Sequence, residues 1–164
     1  MDLQEVIDEH YVAVRRTARA ITRDDWEADE ITQETFMIAC RSLSSVRDKE
    51  AILPWLISVC VRVRRSRFRR IMRQARNLRR FFSQQGAVIG DAAIAPEESE
   101  IWLHVRRLPA KQSEVITLRY LRGLSTAEVA AIVGCSEGTV KSRLHHGLKR
   151  LKENTEFRDC YENS

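Results

Sequence analysis

The apolar residues of this 164-residue chain recur with a helical period along almost its whole length. Glycine and proline, which interrupt helices, supply only six and three residues, and no long segment shows the strict apolar–polar alternation of a half-buried strand. The sequence therefore predicts an all-α protein. Its length and its uneven charge distribution favour two small helical domains over a single one.

Two amphipathic helices are predicted at the amino end of the first domain, residues 1–82. The first covers about residues 3–21. The second begins after Asp24 or Asp25, since an Asp side chain can accept hydrogen bonds from the free N–H groups of a first turn, and it ends near Leu43. Its outward face groups acidic and polar side chains: Asp29, Glu30, Gln33 and Glu34. Such a face suits a basic protein surface.

A third helix, predicted from Pro54 to about Phe82, carries ten arginines and no acid between residues 62 and 80. Pro54 fits a first helical turn and disfavours helix at Leu53. Steps of three or four residues place one row of guanidinium groups on the same side: Arg62, Arg65, Arg69, Arg73, Arg76 and Arg80. Phe68 and Ile71 lie opposite and are predicted to pack on the first domain. Like charges at this spacing repel by about 0.2–0.5 kcal/mol per pair, which favours a polyanion partner over a solvated basic surface.

Residues 83–96 contain two glycines, one proline and no basic residue, so they predict a flexible linker. The second domain is predicted over residues 97–155, with a helix that breaks at Pro109. A polar tail, residues 156–164, is expected to fray.

Residues 115–151 predict a helix-turn-helix motif. Its first helix packs through Val129, Ala130 and Val133, Gly134 forms the sharp turn, and Ser136 caps the second helix. On that second helix, apolar residues share one side, and the opposite side carries hydrogen-bonding groups: Thr139, Ser142, His145, His146 and Lys149. The pattern favours sequence-specific DNA binding; the alternative is an ordinary helical hairpin with a solvated face.

No catalytic, cofactor or metal site is predicted. The four cysteines are widely separated with no CxxC spacing, and three of them sit in helical apolar patterns, so buried reduced thiols are expected in place of a redox or zinc site. The four histidines lack an HExxH context. No apolar run approaches the ~20 residues of a membrane-spanning helix, and the amino terminus MDLQEVIDEH has no signal-peptide pattern. We therefore expect a cytoplasmic protein that is not an enzyme and does not insert into a membrane.

Three segments together resemble the extracytoplasmic-function group of sigma-70-type RNA polymerase sigma factors. ADEITQETFMIA resembles the acidic second helix of that group, and WLISVCVRVRRSRFRR resembles its DNA-opening, minus-10-reading helix. LPAKQSEVITLRYLRGLSTAEVAAIVGCSEGTVKSRLHHGLKRL resembles its minus-35-reading domain. The resemblance covers nearly the whole chain and implies a sigma2-like domain and a sigma4-like domain.

The resemblance implies specific partners for the residues noted above. Core RNA polymerase would be bound through its beta-prime clamp helices and beta flap, with the clamp helices contacting Asp29, Glu30, Gln33 and Glu34. Promoter DNA would meet Arg62, Arg65 and Arg69 at the minus-10 element, and the turn of residues 44–52 would hold a flipped base. The minus-35 element would meet Thr139, Lys141, Ser142, Arg143, His145 and His146. An anti-sigma factor is a further implied partner.

One departure from the family changes the expectation for the minus-10 element. Family members usually have Asn where this chain has Val61, Arg62 and Val63. A guanidinium can hold phosphate but lacks the paired donor and acceptor of an amide, so promoter melting is expected to depend more on charge and less on base capture.

Two other functions fit parts of the sequence. A dimeric helix-turn-helix repressor or activator would use the same reading helix on a palindromic site, with the first domain as its effector or dimerisation domain. An interaction protein could bind RNA or an acidic partner through the arginine helix, although no aromatic residues are interleaved with the arginines to stack on bases.

Overall fold

A computed structural model describes residues 2–46, 48–79 and 100–154 of the chain, and within these residues there are helices and turns but no strand. The all-α prediction is confirmed. The helices are α1 (Leu3–Ile21), α2 (Asp25–Ser42), α3 (Ile52–Arg79), α4 (Glu100–Arg107), α5 (Ala110–Ile116), α6 (Thr126–Val133) and α7 (Glu137–Glu153). A 3-10 turn, Leu43–Ser45, follows α2, and a π-helical turn, Thr117–Leu121, continues α5. The predicted linker and tail, Arg47, Arg80 and the side chain of Arg76 lie outside the described residues.

The first domain is built from α1, α2 and α3, each packed against the other two. Val14, Ile31 and Leu56, one from each helix, are fully buried. The Asp24 side chain caps α2 by accepting from the Glu27 N–H at 2.6 Å, as the sequence predicts. The bounds predicted for α1 and α2 agree with the structure to within one residue.

Helix α3 departs from the prediction in its start and in its packing, and its predicted end near Phe82 lies outside the described residues. It begins at Ile52, two residues before Pro54, because the Trp55 N–H donates to the Ala51 carbonyl four residues earlier, at 3.0 Å. Pro54 therefore occupies a position where an N–H is not needed. The predicted packing of Phe68 and Ile71 is wrong: both are more than half exposed. Among the α3 side chains that the structure describes, up to residue 74, the last buried one is Val63, so the helix continues beyond the three-helix core.

The second domain consists of α4 to α7. Helix α7 packs against α5 and α6, and Gly147 makes the close approach to α5 possible, since a Cβ there would lie 2.6 Å from Ile116 Cδ1. Gly134 ends α6 in the left-handed conformation, with φ of 63°, as the predicted sharp turn requires. The helix-turn-helix is thus confirmed as a local structure.

The two domains contact each other in this structure. Helix α1 packs against α4, α5 and the π-helical turn, and α3 packs against α6. The buried apolar side chains of both domains form one connected cluster. Among the helices of the described part of the chain, none combines the length and apolarity that a membrane crossing requires.

Candidate nucleic-acid interface

The outward face of α7 is presented by a well-anchored helix. Ser136 Oγ accepts from the Thr139 N–H at 3.2 Å and caps the first turn. On the inner side Val140, Leu144 and Leu151 are buried. Because these contacts fix the rotation of the helix about its axis, they also fix which side chains face solvent.

Four of the six residues predicted for the minus-35 element are exposed on α7: Lys141, Ser142, His145 and His146. The rings of the two histidines meet edge to face with centroids 5.5 Å apart. Thr139 and Arg143 are half-buried and bonded to the turn. Thr139 Oγ1 lies 2.9 Å from Ser136 Oγ, and Arg143 Nη1 donates to Cys135 Sγ at 3.6 Å. The exposed four offer both donors and acceptors, which is what reading base edges requires.

The helix before the turn is fixed by a reciprocal capping box. The Glu128 N–H donates to Ser125 Oγ at 3.2 Å, while the Ser125 N–H donates to Glu128 Oε2 at 2.7 Å. The hydrogen bonds from the Ser125 side chain and backbone hold the pKa of Glu128 below its usual range. The start of α6 is therefore well determined.

The arginine row of α3 is divided between solvent and the second domain. Arg62, Arg69 and Arg73 are exposed. Arg65, predicted to contact DNA with Arg62 and Arg69, instead donates to Glu114 of α5, with Nε–Oε1 at 3.0 Å and Nη2–Oε2 at 2.6 Å. The structure therefore leaves two of the three predicted minus-10 residues free to face a polyanion and holds the third inside the molecule.

The acidic face of α2 is partly neutralised within the first domain. Asp29 accepts from Arg15 Nε at 2.7 Å, and this hydrogen bond is the main cause of a raised pKa of Arg15. Glu30 and Glu34 each lie 3.2 Å from a different terminal nitrogen of Arg67 on α3. The three carboxylate side chains nevertheless remain 52%, 37% and 43% exposed, and Gln33 is exposed beside them. The predicted group is thus brought together on one accessible surface.

A groove of about 480 Å³ lies between α2 and α3, close to the turn that connects them. Its walls combine apolar side chains with charged and hydroxyl groups at the rim: Ile38, Trp55, Val59 and Val63, with Glu34, Ser42, Arg62 and Ser66. An apolar slot with a guanidinium at its edge suits a flat group attached to an anion.

Comparison with known proteins identifies the family. The sigma-70 region 2 model matches residues 6–74, and the sigma-70 region 4 model matches residues 99–151. The RNA polymerase sigma-E factor of Streptomyces avermitilis is 29% identical over 162 residues, which cover 97% of this chain and 88% of that protein. The ECF RNA polymerase sigma factor SigL of Mycobacterium tuberculosis is 29% identical over 163 residues, covering 92% of this chain and 86% of SigL.

This chain belongs to the extracytoplasmic-function group of the sigma-70 family. The sigma factor RpoE of Bartonella quintana, solved with the anti-sigma factor NepR, agrees in fold with a TM-score of 0.72 at 25% identity, covering 93% of this chain and 95% of RpoE. The resemblance noted in the sequence is thus confirmed, and with it a role in transcription initiation. A dimeric repressor is not favoured, because the first domain matches a sigma-factor region.

Sequence reasoning missed the residues of this sigma factor that join its two domains. The most important are Glu114, Arg64 and Arg106, all buried or nearly so. A carboxylate on the apolar side of α5 was the available signal, because a buried charge requires a partner. Its partner lies 49 positions away, however, and no local spacing identifies it.

Three cysteines, Cys40, Cys60 and Cys135, lie within the described residues. Cys60 is fully buried, and burial raises the pKa of its thiol to about 12, as expected of an inert thiol. Cys135 is partly buried, whereas the predicted burial of Cys40 is wrong, since it lies on the exposed side of α2. Within the described residues, no group of three His, Cys, Asp or Glu side chains is placed to bind a metal ion.

Proposed function

We propose that this sigma factor binds core RNA polymerase through α2 and directs it to promoters by contacting the minus-10 element with α3 and the minus-35 element with α7. The first domain would span residues 1–82 and the second residues 97–155, with residues 83–96 between them. The sigma factor would supply recognition and leave catalysis to the polymerase. The observation that carries this proposal is an exposed, rigidly mounted reading face on α7, in a chain whose other domain matches sigma-70 region 2.

The minus-35 contacts are assigned to two groups of residues on α7. Lys141, Ser142, His145 and His146 are exposed and would enter the major groove. Thr139 and Arg143, which are bonded to the turn, would contact the DNA backbone and hold the reading face in register. Each good base contact would supply discrimination of about 1–3 kcal/mol.

The minus-10 contacts are assigned to α3 and to the groove beside it. Arg62 and Arg69 would hold phosphates directly, and Arg65 would join them once released from Glu114. A flipped base would enter the groove near Trp55 and the turn of residues 44–52. Val61 and Val63 are buried, so Arg62 is the one outward residue where the family usually has Asn. This arrangement supports melting that depends on charge.

The polymerase contact is assigned to Asp29, Glu30, Gln33 and Glu34, which would face the beta-prime clamp helices, while the second domain would face the beta flap. Arg15 and Arg67 already neutralise the three carboxylates, so binding would exchange one set of cations for another. Partly exposed pairs of this kind contribute about 0–1 kcal/mol each to stability, so replacing them costs little free energy. The acids therefore remain available to a partner.

An anti-sigma factor is proposed as a further partner. RpoE of Bartonella quintana was solved in complex with the anti-sigma factor NepR. An inhibitor of this sigma factor would cover the surfaces assigned above to polymerase and DNA.

The proposal is tested by run-off transcription from genomic promoter fragments with core RNA polymerase, with and without this sigma factor. Transcripts that start only in its presence are expected. A protein that ignores core polymerase and binds an inverted repeat as a two-fold dimer would refute the proposal.

Residue assignments on α2 are tested by co-purification with core polymerase. The triple variant Asp29→Lys, Glu30→Lys, Glu34→Lys is expected to abolish binding. The variant Asp29→Asn, Glu30→Gln, Glu34→Gln removes the same charges with less disturbance, and circular dichroism checks that both variants fold. The matched control reverses three exposed acids of α1, Glu5, Asp8 and Glu9. Equal retention of the triple variant and the control would remove the assigned role of α2.

A further inference from the structure

The side chain of Arg122 is half-buried and lacks an acceptor for its hydrogen bonds. Arg122 follows the π-helical turn, and its backbone N–H donates to the Thr117 carbonyl at 3.2 Å. Its side-chain Nε is buried and has no hydrogen-bond partner among the described residues. Buried polar groups are almost always paired, and a guanidinium has donors but no acceptor, so it cannot pair with another arginine. Arg122 therefore needs an acceptor that the described chain does not supply.

Packing against α1 places Arg122 beside a second arginine. Ser113 Oγ and Thr117 Oγ1 both donate to the Ala20 carbonyl of α1, at 2.9 and 3.5 Å. Arg16 lies one helical turn before Ala20 on α1. Arg122 lies one π-helical turn after Thr117, so both arginines are one turn away from the same contact. Burial, and next the nearby charge of Arg16, lower the pKa of Arg122.

Other arginines at contacts between helices have carboxylate partners. Five of them, all half-buried or buried, lie within 3.2 Å of a carboxylate oxygen: Arg15, Arg19, Arg65, Arg67 and Arg106. Within the described part of the chain, the side chains of Arg16 and Arg122 make neither an ion pair nor a hydrogen bond. The two arginines are thus a local excess of positive charge without a counter-ion.

A phosphate group matches these two arginines in charge and in geometry. A guanidinium can donate to two oxygens of one phosphate, and a phosphate has enough oxygens for two such partners. A terminal phosphate carries a charge of about −1.5 to −2 at pH 7, whereas a carboxylate or a DNA phosphodiester would neutralise only one of the two arginines. Because the Arg16 side chain is exposed, the site is open to a small molecule from solvent.

We propose that Arg16 and Arg122 form a binding site for the terminal phosphate group of a small molecule, where α1 meets the π-helical turn. The site is separate from α2, α3 and α7, so it does not depend on the roles proposed for those helices. Bound phosphate would supply the missing acceptor and remove the repulsion between the two guanidinium groups. The folded protein would therefore be more stable with the ligand than without it.

The site is tested by isothermal titration calorimetry of the full-length protein with pyrophosphate, ATP and inorganic phosphate at constant ionic strength. Arg122→Met removes every donor of the side chain but keeps an unbranched chain, and Arg16→Gln removes the second charge. Each change is expected to weaken pyrophosphate binding by about tenfold or more. Arg41→Gln, at an exposed position near the end of α2, is the matched control and should bind like wild type.

Thermal unfolding supplies a measurement that separates a ligand site from a structural role. Without ligand, Arg122→Met should melt at the same temperature as wild type or higher, because it removes an unpaired buried donor and a repulsive charge. Added pyrophosphate should raise the melting temperature of wild type and of Arg41→Gln until the site is saturated, but not that of the two site variants. Potassium chloride at equal ionic strength is the control for salt screening.

The outcomes decide the site independently of the run-off assay. Saturable pyrophosphate binding that both site variants lose supports it, and tighter binding of ATP would identify a nucleotide as the ligand. Equal binding by wild type and the variants, no saturable binding of any of the three ligands, or a marked loss of stability of unliganded Arg122→Met overturns it. If Arg122→Met does not fold, Arg16→Gln decides the question, because the Arg16 side chain is exposed.

Discussion

Helices α7 and α3 both present polar or basic side chains proposed to meet DNA, yet they differ in how far those side chains are available. On α7 the buried stripe decides the outward face, and four of the six predicted residues are exposed. On α3 the outward arginines face the second domain as well as solvent, and Arg65 is held by Glu114. A helix's own periodicity therefore predicts which side chains point outward, but not whether another part of the chain binds them.

The largest expected change is in the free energy of unfolding, when the packing that orients α7 is disturbed. Gly147→Val places a branched side chain where a Cβ alone would lie 2.6 Å from Ile116 Cδ1, and should lower the free energy of unfolding by about 2–3 kcal/mol. Gly138→Ala on the same helix, with Ser136 Oγ 3.9 Å away, should be neutral or slightly stabilising. Urea denaturation measures the stability of both variants. Equal midpoints would show that close packing of α7 against α5 at Gly147 is not required.

The next comparison tests whether α7 reads bases. Ser142→Ala and His146→Ala in the holoenzyme should each lose about 1–3 kcal/mol of preference for a recognised minus-35 sequence over a scrambled one, measured by competition binding. Lys149→Ala, exposed one turn further along, should weaken both DNAs alike. A uniform loss for all three variants would make α7 a backbone-binding helix like α3.

A smaller change in DNA affinity is expected when the exposed arginines of α3 are replaced. Arg62→Gln and Arg69→Gln should each reduce the slope of log affinity against log salt by about one, or roughly threefold in affinity between 50 and 200 mM salt. The change should be the same for every DNA sequence. Arg23→Gln, exposed in the loop between α1 and α2, is the control. An unchanged slope in the α3 variants would place that helix away from DNA.

The smallest effect concerns the capping box that orients α6. The pKa of Glu128 is held below its usual range by its hydrogen bonds with Ser125, so its ionised form stabilises the folded state above the unfolded pKa, and this contribution is lost as the pH falls through the folded value. Glu128→Gln retains the geometry without the titration. Thermal unfolding followed from pH 7 to about pH 3 should show a smaller decline for the variant than for wild type.

The sequence predicted local structure well and long-range pairing poorly. Helix bounds, the Asp24 and Ser136 caps and the turn at Gly134 followed from residue chemistry within a few positions. The exposure of Phe68 and Ile71 did not, because amphipathicity shows that a helix has an apolar side but not how far the core extends beneath it. The α2 acids were correctly grouped, but their pairing with Arg15 and Arg67 depends on how three helices pack.

Arg67 spans two carboxylates that lie one turn apart on α2. Because the Arg67 guanidinium is bonded to both carboxylates, moving α3 along α2 by a single turn would break its contacts with Glu30 and Glu34 at the same time. This pairing therefore resists sliding of the two helices. In the free protein it should keep α2 and α3 in register, and a partner that replaced Arg67 at Glu30 and Glu34 would remove that restraint from the neighbouring groove.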